Sequence, residues 1–315
     1  MAQQIEPTHL GADVDSRFIQ VHEYESGAAE KIENTPSGIA KWLRSQGASA
    51  RLAVESTGSY HFDLVDRAHA AGLTVYVLDP RHIKHYRESV GQRAKTDPGD
   101  ACVIARYLQR ECDELRPYRP RSKAQRKASQ LLKRRATLVR AKDQIEQSFK
   151  ELSGFDAALR ATLRRVDALI ALLEKRLEAL LKEQGHWDKV LHCRSIPGIG
   201  RISAMSLVVA YLRGEFRSAD AFVAYLGLDV RVRESGRFSG RRKLTKQGDA
   251  ECRRVLYNAA MTGRRYAFAA YYERLIARGL KPTQAFVAVA RKQVRIAFSL
   301  MRNDVDFDLE RFEMA

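Results

Sequence analysis

Residues 10–24, LGADVDSRFIQVHEY, decide the fold of the front of the chain. They contain two short apolar patterns, Leu10–Val14 and Phe18–Tyr24, which are typical of strands joined by a tight turn. Further strand patterns follow at Lys31–Asn34, Leu52–Glu55 and Thr74–Leu78, and helical patterns at Ser37–Gln46, Tyr60–Ala71 and Pro98–Arg110. A three-strand start followed by alternating helix and strand predicts a mixed sheet with helices on its faces.

The sequence after residue 116 has a different, helical pattern. The stretch RPYRP at residues 116–120 predicts a linker, because its prolines interrupt the alternation of helix and strand. In the helical stretch that follows, a large aliphatic residue recurs every seven positions, as in a coiled coil. These residues are Leu131, Leu138, Ile145 and Leu152. Two antiparallel helices folded at Ser153-Gly154 and one long helix in an oligomer both fit this pattern.

We therefore expect an α/β plus α fold in three domains. Residues 1–116 form a mixed-sheet domain, residues 117–188 a basic coiled-coil arm, and residues 189–315 a mostly helical domain. The chain of 315 residues is long enough for this arrangement, and 45% hydrophobic residues are enough to bury real cores.

The charge is unevenly distributed along the chain. The net charge is +17, an excess that usually serves to neutralise phosphates. Residues 1–115 hold 13 Lys/Arg and 17 Asp/Glu, a net of −4, whereas residues 116–315 hold 42 and 21, a net of +21. This division predicts that carboxylates bind cations in the front domain and that the back of the chain binds nucleic acid. A merely soluble basic protein is the alternative that composition leaves open.

Several classes of protein are excluded by composition. No stretch approaches the roughly 18–20 consecutive apolar residues that span a bilayer, and the N-terminal residues lack an apolar signal core. The four cysteines are far apart and form no CxxC pair, which argues against structural zinc and a disulfide framework. We therefore expect a cytoplasmic protein with no membrane partner.

Four carboxylates of the front domain lie where a metal site is expected. Asp13 and Glu55 end apolar strands, where acids are costly unless they are solvated, paired or bound to a cation. Asp97 and Asp100 stand three apart where a helix begins, so they share one face. Singly, Asp97 can be only a helix cap and Asp13 only a turn residue. Together the four acids predict a site for Mg²⁺ or Mn²⁺, of the kind in which two ions clamp a phosphodiester.

The back domain contains two candidate phosphate-binding segments. Ile196–Gly200 (IPGIG), ahead of an apolar helix, is similar to a helix-hairpin-helix turn, although a plain turn is the alternative. A Gly- and Arg-rich loop carries Ser235 and Ser239, each of which fits either a phosphate ligand or a nucleophile. The residues that we expect to contact nucleic acid are Arg126, Lys127, Lys133, Arg134, Arg135, Gly198, Gly200, Arg233, Arg237, Arg241, Arg242, Lys243 and Lys246.

The set of motifs resembles, nearly end to end, the DEDD-type transposases of insertion-sequence family 110. The front motifs are GADV (11–14), AVESTG (53–58), VLDP (77–80) and KTDPGDA (95–101), and the back motifs are IPGIG (196–200), YLGL (225–228), SG (235–236) and TKQGD (245–249). Two departures are Gly99, where a larger residue is usual, and Asp229-Val230, where a proline is usual.

The resemblance implies a ribonuclease H-like (RuvC-like) front domain whose four acids hold divalent metal, and a serine nucleophile that links covalently to DNA. The SG motif maps that nucleophile to Ser235, with Ser239 as the fallback. It further implies a homo-oligomer, a dimer or tetramer, that acts on donor and target DNA with a structured guide RNA, close to the bacterial nucleoid. A RuvC-like nuclease or junction resolvase that uses water is the competing hypothesis, and an inactive nucleic-acid-binding protein is a third.

Overall fold

The computed structural model describes residues 7–47, 49–56, 58, 60–91, 97–231, 234–235, 238–239 and 243–310, with side chains at all of these except 97–98, 234–235 and 238–239. The chain forms two compact units, Met1–Pro120 and Arg121–Ala315. The division into domains at residues 116 and 188 remains a prediction.

The first unit is built on a five-stranded mixed sheet. Its strands are β1 (His9–Val14), β2 (Phe18–Glu23), β3 (Ala29–Glu33), β4 (Arg51–Glu55) and β5 (Thr74–Leu78). They are ordered β3-β2-β1-β4-β5, with the first three antiparallel and β1, β4 and β5 parallel. The predicted mixed sheet is confirmed, and it is compatible with a ribonuclease H-like domain.

Helices cover both faces of this sheet. They are α1 (Pro36–Leu43), α2 (Phe62–Ala70), α3 (Pro80–Ser89) and α4 (Asp97–Glu111). One core contains side chains of β1, β2, β4 and β5 with α1 and α2, and a second contains Ala53 and Leu78 with side chains of α3 and α4. Both cores are expected of a sheet that must bury its two apolar faces.

Helix α3 is absent from the sequence prediction. Its sequence, PRHIKHYRES, has only one buried side chain, Ile83, so it lacks the apolar periodicity that marks most helices. Asp79 caps it by accepting a hydrogen bond from the Arg81 amide, and Pro80 occupies its first position. This Asp-Pro start is the local signal that locates the helix.

The segment at residues 116–120 is docked rather than extended away from the first unit. The Tyr118 amide donates to the Val75 carbonyl at 2.6 Å, and the Tyr118 hydroxyl donates to the Asp66 carboxylate at 2.8 Å. These bonds hold the segment against β5 and α2. The predicted linker is therefore part of the first unit at Tyr118.

The second unit is mostly helical. Its helices are α5 (Lys123–Ser148), α6 (Asp156–Glu183), α7 (Trp187–Ser195), α8 (Arg201–Tyr211), α9 (Ala219–Tyr225), α10 (Ala250–Gly263), α11 (Ala269–Ala277) and α12 (Pro282–Asn303). Short strands β6 (Val230–Arg231), β7 (Glu234–Ser235), β8 (Phe238–Ser239) and β9 (Lys243–Leu244) lie between α9 and α10. Over the part of the chain that the structure describes, no helix combines the length and apolar character of a membrane span.

Helices α5 and α6 form an antiparallel hairpin, one of the two arrangements that the heptad pattern allows. Ion pairs cross between them, from Arg135 to Glu174 at 2.6 Å and from Lys142 to Asp167 at 2.8 Å. Gly154, at φ +87°, lies in the connection, where a left-handed conformation favours glycine. The open end of the hairpin joins the helical core of this unit through Ala128, Leu177 and Leu181.

Candidate active site

The sheet places Asp13 and Glu55 side by side. In the parallel pairing of β1 with β4, Ala12 lies opposite Val54, and the two acids are the next residues on their strands. Gly11 pairs with Ala53 in the same register, so both acids lie on the sheet face that packs against α3 and α4. Asp13 is the last residue but one of β1 and Glu55 is the last residue of β4, so both acids lie at the same edge of the sheet.

Gly11 determines how closely α4 approaches this edge. A Cβ at residue 11 would collide with the backbone nitrogen of Ala105 and the carbonyl oxygen of Ala101. Asp100 directly precedes Ala101, so the close packing brings the first turn of α4 to β1. Sequence reasoning did not assign this role to Gly11. The available signal is a glycine inside an apolar strand, two residues before an acid on the same face.

One cavity collects three of the four predicted acids. Its volume is about 700 Å³. Asp13, Glu55 and Asp100 line it, together with Val14, Asp15, Phe18, Gln20, Lys31, Tyr60, Pro80, Lys84 and Arg87. Asp97 is the first residue of α4, and its side chain lies outside the described residues. The i, i+3 relation to Asp100 places Asp97 on the same side of the helix.

Asp100 is paired with a cation that the sequence prediction did not include. Arg87 Nη2 of α3 lies 2.8 Å from Asp100 Oδ1, and the side chains are 15% and 6% exposed. The contact is an ion pair rather than a hydrogen bond, since Asp100 Oδ1 accepts none from the described residues. Arg87 was missed because its helix was missed.

The donor chemistry of the cavity fits a divalent cation. Carboxylate oxygens are the preferred ligands of Mg²⁺ and Mn²⁺, and a deeply buried carboxylate oxygen without a hydrogen bond needs a positive partner. Among the described side chains, no three His, Cys, Asp or Glu residues are close enough together to hold a metal ion. The fourth predicted ligand, Asp97, is not part of that set.

The turn at Ile196–Gly200 is held from inside the second unit. Gly198 has φ +89°, and a Cβ there would collide with the backbone of Gly263 and Ala259 in α10. Gln293 of α12 donates to the Pro197 carbonyl at 3.0 Å. Gly198 therefore serves the close packing of α10 against the turn, which is the plain-turn alternative. Gly200 differs, because it is exposed and no described atom lies within 4 Å of where a Cβ would stand.

Two family models match separate parts of the chain. A transposase model of the DEDD type named for IS110 matches residues 16–153, and a model described as the transposase IS116/IS110/IS902 family matches residues 192–273. The chain belongs to the IS110 family of transposases.

Two similar proteins match nearly the whole chain, and a third matches less than half of it. A pilin gene-inverting protein from Moraxella bovis is 27% identical to this transposase over 96% of this chain and 98% of its own. A probable family 20 transposase from Pseudomonas aeruginosa is 25% identical over 94% of this chain and 97% of its own. An IS900 protein from Mycobacterium paratuberculosis is 30% identical over 43% of this chain and 38% of its own. The chain is thus an enzyme of the transposase and recombinase class, and it acts on DNA.

The cations expected to contact nucleic acid fall into distinct groups in this transposase. Lys127, Lys133, Arg134, Lys243 and Lys246 are exposed, and Arg126 is half-buried. Arg135 is only 13% exposed and contacts Glu174 at 2.6 Å and Glu251 at 3.3 Å. The guanidinium of Arg135 is thus engaged within the unit, and we leave it out of the proposed binding surface. Arg233, Arg237, Arg241 and Arg242 lie outside the described residues.

The two candidate serines lie on facing strands of a small hairpin. Ser235 pairs with Phe238, and Ser239 pairs with Glu234, in the antiparallel ladder of β7 with β8. The backbone therefore places both serines within one short hairpin of the segment that the second family model matches. Their side chains lie outside the described residues, so the choice between Ser235 and Ser239 remains a prediction.

Proposed function

We propose that this transposase cuts and rejoins DNA strands with a divalent-metal site made of Asp13, Glu55, Asp97 and Asp100. The observation that carries this proposal is that Asp13, Glu55 and Asp100, from two strands and a helix, line one cavity. Carboxylates gathered in one cavity repel one another, and a bound cation relieves this repulsion. Two Mg²⁺ or Mn²⁺ ions are the expected complement.

The residues of the cavity have separate tasks. The acids hold the metal, and the close packing of α4 at Gly11 fixes the distance between the acids on the strands and those on the helix. Bound metal supplies positive charge that stabilises the phosphoryl group in the transition state. Lys31 and Lys84 line the same cavity and attract the DNA phosphates toward it.

We further propose that Ser235 is the nucleophile, with Ser239 as the alternative. The serine oxygen forms a bond to the scissile phosphorus and loses its proton to solvent, while the bond to the deoxyribose oxygen breaks and that oxygen gains a proton. Attack by the incoming strand's hydroxyl then releases the serine. Because each step exchanges one phosphodiester bond for another, the cut end keeps its bond energy until it is rejoined.

A relative's name supports rejoining over simple hydrolysis. The Moraxella bovis protein is named for inverting a pilin gene, and inversion of a DNA segment requires that its cut ends be joined again. A water-activating nuclease or junction resolvase leaves free ends or needs a ligase to seal them. We therefore place strand exchange ahead of the hydrolytic alternative for this chain.

Covalent trapping tests the serine proposal. The full-length protein is incubated with Mg²⁺ and labelled DNA carrying the ends of its own element, together with RNA transcribed from the flanking sequence, and adducts are resolved in denaturing gels. We expect adducts from the wild type and from Ser239→Ala, and none from Ser235→Ala. The reverse pattern assigns the role to Ser239. Adducts that persist in the double variant would mean that another residue is the nucleophile and would overturn the serine proposal. Cleavage without any adduct would favour the water-using nuclease.

We also propose that the exposed cations of the second unit bind nucleic acid and that a structured RNA guides a homo-oligomer to its DNA. Lys127, Lys133 and Arg134 lie along α5, and Lys246 follows β9, so the unit offers phosphate-binding charge on several elements. Omission of the flanking RNA should abolish target-specific adducts in the trapping assay. Equal adduct yield without RNA would contradict guidance and leave DNA binding untouched.

A further inference from the structure

We propose that Arg87 is a resident counter-cation of the acid site, which holds Asp100 in the metal-free protein and must withdraw before a divalent cation binds. The inference rests on the proposed metal site, and it adds a residue outside the four acids that sets the metal affinity. On this proposal, a divalent cation replaces the Arg87 guanidinium at Asp100 when metal binds.

The burial of the pair shows that Asp100 needs a cation when the metal is absent. Its side chain is 6% exposed, and the Arg87 side chain is 15% exposed. A carboxylate this deeply buried is costly without a positive partner. Arg87 Nη2, 2.8 Å away, is the described cation that contacts it. Asp100 also lines the cavity where Asp13 and Glu55 lie.

The geometry of the pair shows that it can be replaced. A strong arginine–carboxylate pair makes two parallel hydrogen bonds. Here the buried Arg87 Nε and Asp100 Oδ1 both lack a hydrogen-bond partner among the described residues. The pair therefore relies on charge attraction, which a divalent cation supplies with twice the charge. Both cannot occupy the Asp100 oxygen at once, since like charges repel strongly at such distances.

Helix α3 is anchored, so the exchange needs only a movement of the Arg87 side chain. Ile83 is fully buried beneath the helix, and the rings of Tyr86 and Tyr107 meet edge to face at 5.0 Å between centroids. Asp79 caps the helix at its start. Lys84, one turn before Arg87 on the same face, lines the same cavity but is exposed. Its charge is therefore screened by solvent.

Lys84 provides a matched control, because Lys84→Met and Arg87→Met each remove one positive charge from the same helix face. Binding of Mn²⁺ to the full-length protein is measured by electron paramagnetic resonance of the free ion, without DNA. We expect Arg87→Met to bind Mn²⁺ about tenfold more tightly than the wild type, as for a typical coupling between competing sites. Lys84→Met should change the affinity by about twofold or less.

Stability provides a second readout. In chelator, Arg87→Met should melt at a lower temperature than the wild type, since Asp100 loses its counter-charge, and Mn²⁺ should raise its melting temperature by more than it raises that of the wild type. Arg87→Lys keeps the positive charge with a different reach, and we expect its Mn²⁺ affinity between those of the wild type and Arg87→Met. This variant keeps the test valid should Arg87→Met fail to fold without metal.

The outcomes separate this inference from the metal site itself. Mn²⁺ binding that Asp13→Asn abolishes, together with an Arg87→Met affinity equal to or weaker than that of the wild type, overturns the role of Arg87 alone. An equal gain in Lys84→Met also overturns it, because the effect would then be general electrostatics. Absence of Mn²⁺ binding in the wild type and in Arg87→Met overturns the metal site and the inference together.

Discussion

The two units place their charged side chains differently. In the first unit, Asp13 and Glu55 face a cavity, and Asp100 there contacts a single described cation, Arg87. In the second unit, acids and bases alternate in a connected chain that links α5, α6, α8 and α10. It runs through Arg254, Glu251, Arg135, Glu174, Arg201, Glu178 and Lys182, with contacts between 2.6 and 3.5 Å.

The difference shows that the net charge of a segment does not tell how many of its charged side chains can bind a ligand. The second unit is strongly basic, yet Arg135, Arg201 and Arg254 are engaged with glutamates that hold its helices together. The first unit is acidic, and several of its acids are concentrated around one cavity. Position in the fold therefore decides which charges bind ligands and which stabilise the protein.

The largest effect that tests this contrast concerns the cavity acids. Asp13→Asn should lower metal-dependent strand cleavage by at least about a hundredfold, because loss of a direct ligand costs no less than loss of an outer hydrogen-bond partner. Strand cleavage is measured on labelled DNA over a range of Mg²⁺ concentrations. DNA affinity should change little, since the phosphates are bound by lysines and arginines rather than by this carboxylate.

Asp15→Asn is the matched control for Asp13→Asn. Asp15 lines the same cavity, but it is exposed and its carboxylate accepts a hydrogen bond from the Ser16 amide. The backbone and side-chain hydrogen bonds from Ser16 lower the pKa of Asp15, so its carboxylate is ionised at neutral pH. Cleavage should remain near the wild-type level. Equal losses in both variants would show that the total charge of the cavity matters, rather than one ligand.

The second prediction separates the stabilising charges from the exposed ones on α5. Arg135→Met removes the partner that Glu174 and Glu251 share, while Arg201 and Arg254 still contact them. It should lower the free energy of unfolding by about 1.5–3 kcal/mol. Arg134→Met, one residue earlier and exposed, should change it by about 0.5 kcal/mol or less. Urea denaturation measures both.

DNA binding should reverse the order of these two variants. Arg134→Met should weaken binding and reduce the slope of log affinity against log salt by about 0.9, the contribution of one phosphate contact to duplex DNA. Arg135→Met, assayed where it remains folded, should leave the slope unchanged. If Arg135→Met reduced the slope of log affinity against log salt without loss of stability, Arg135 would have to be counted among the residues that bind DNA.

The sequence predicted the five strands because their apolar patterns and turns are local signals. It also placed Asp13 and Glu55 near strand ends, since a carboxylate there is conspicuous, and their role as metal ligands stays a prediction. It could not show that Asp100 is paired with Arg87, because α3 has one buried side chain and the pair depends on how two helices pack. For the same reason the engagement of Arg135 with two glutamates, one of them 116 residues away, was not visible in a basic stretch.

Two glycines also have roles that the sequence shows only in part, because their packing partners are distant along the chain. The left-handed turn at Gly198 is a local feature, and the sequence marked it through the IPGIG motif. Phosphate contact at Gly198 stays a prediction, and the packing of α10 against the turn gives the residue a structural purpose. The tertiary role of Gly11 likewise depends on α4, which is distant in sequence.

The third prediction tests whether the acid cavity depends on close packing. Gly11→Ala should lower the free energy of unfolding by about 1–3 kcal/mol, since the added methyl collides with the backbone of α4. The displaced helix should also weaken Mn²⁺ binding.

Gly47→Ala is the control in the same unit, because Gly47 is exposed and no described atom lies within 4 Å of where the added methyl would stand. It should change stability by about 0.5 kcal/mol or less. Equal stability of the two variants would contradict the packing argument.

The smallest expected effect concerns the start of α3, the helix that carries Arg87. The Arg81 guanidinium makes hydrogen bonds to the Asp79 carboxylate and holds the pKa of Asp79 at about 2, below its usual 3.8. Because the folded-state pKa is lowered, the ionised carboxylate stabilises the protein above about pH 4, and this contribution is lost as the pH falls through about 2.

Asp79→Asn keeps a good helix cap and removes only the charge. Since the pair is partly exposed, the free energies of unfolding of the wild type and Asp79→Asn should differ by less than about 1 kcal/mol at pH 6, and the difference should vanish near pH 2. Urea denaturation at a series of pH values measures this, and a difference that is independent of pH would show that Asp79 acts through its cap alone.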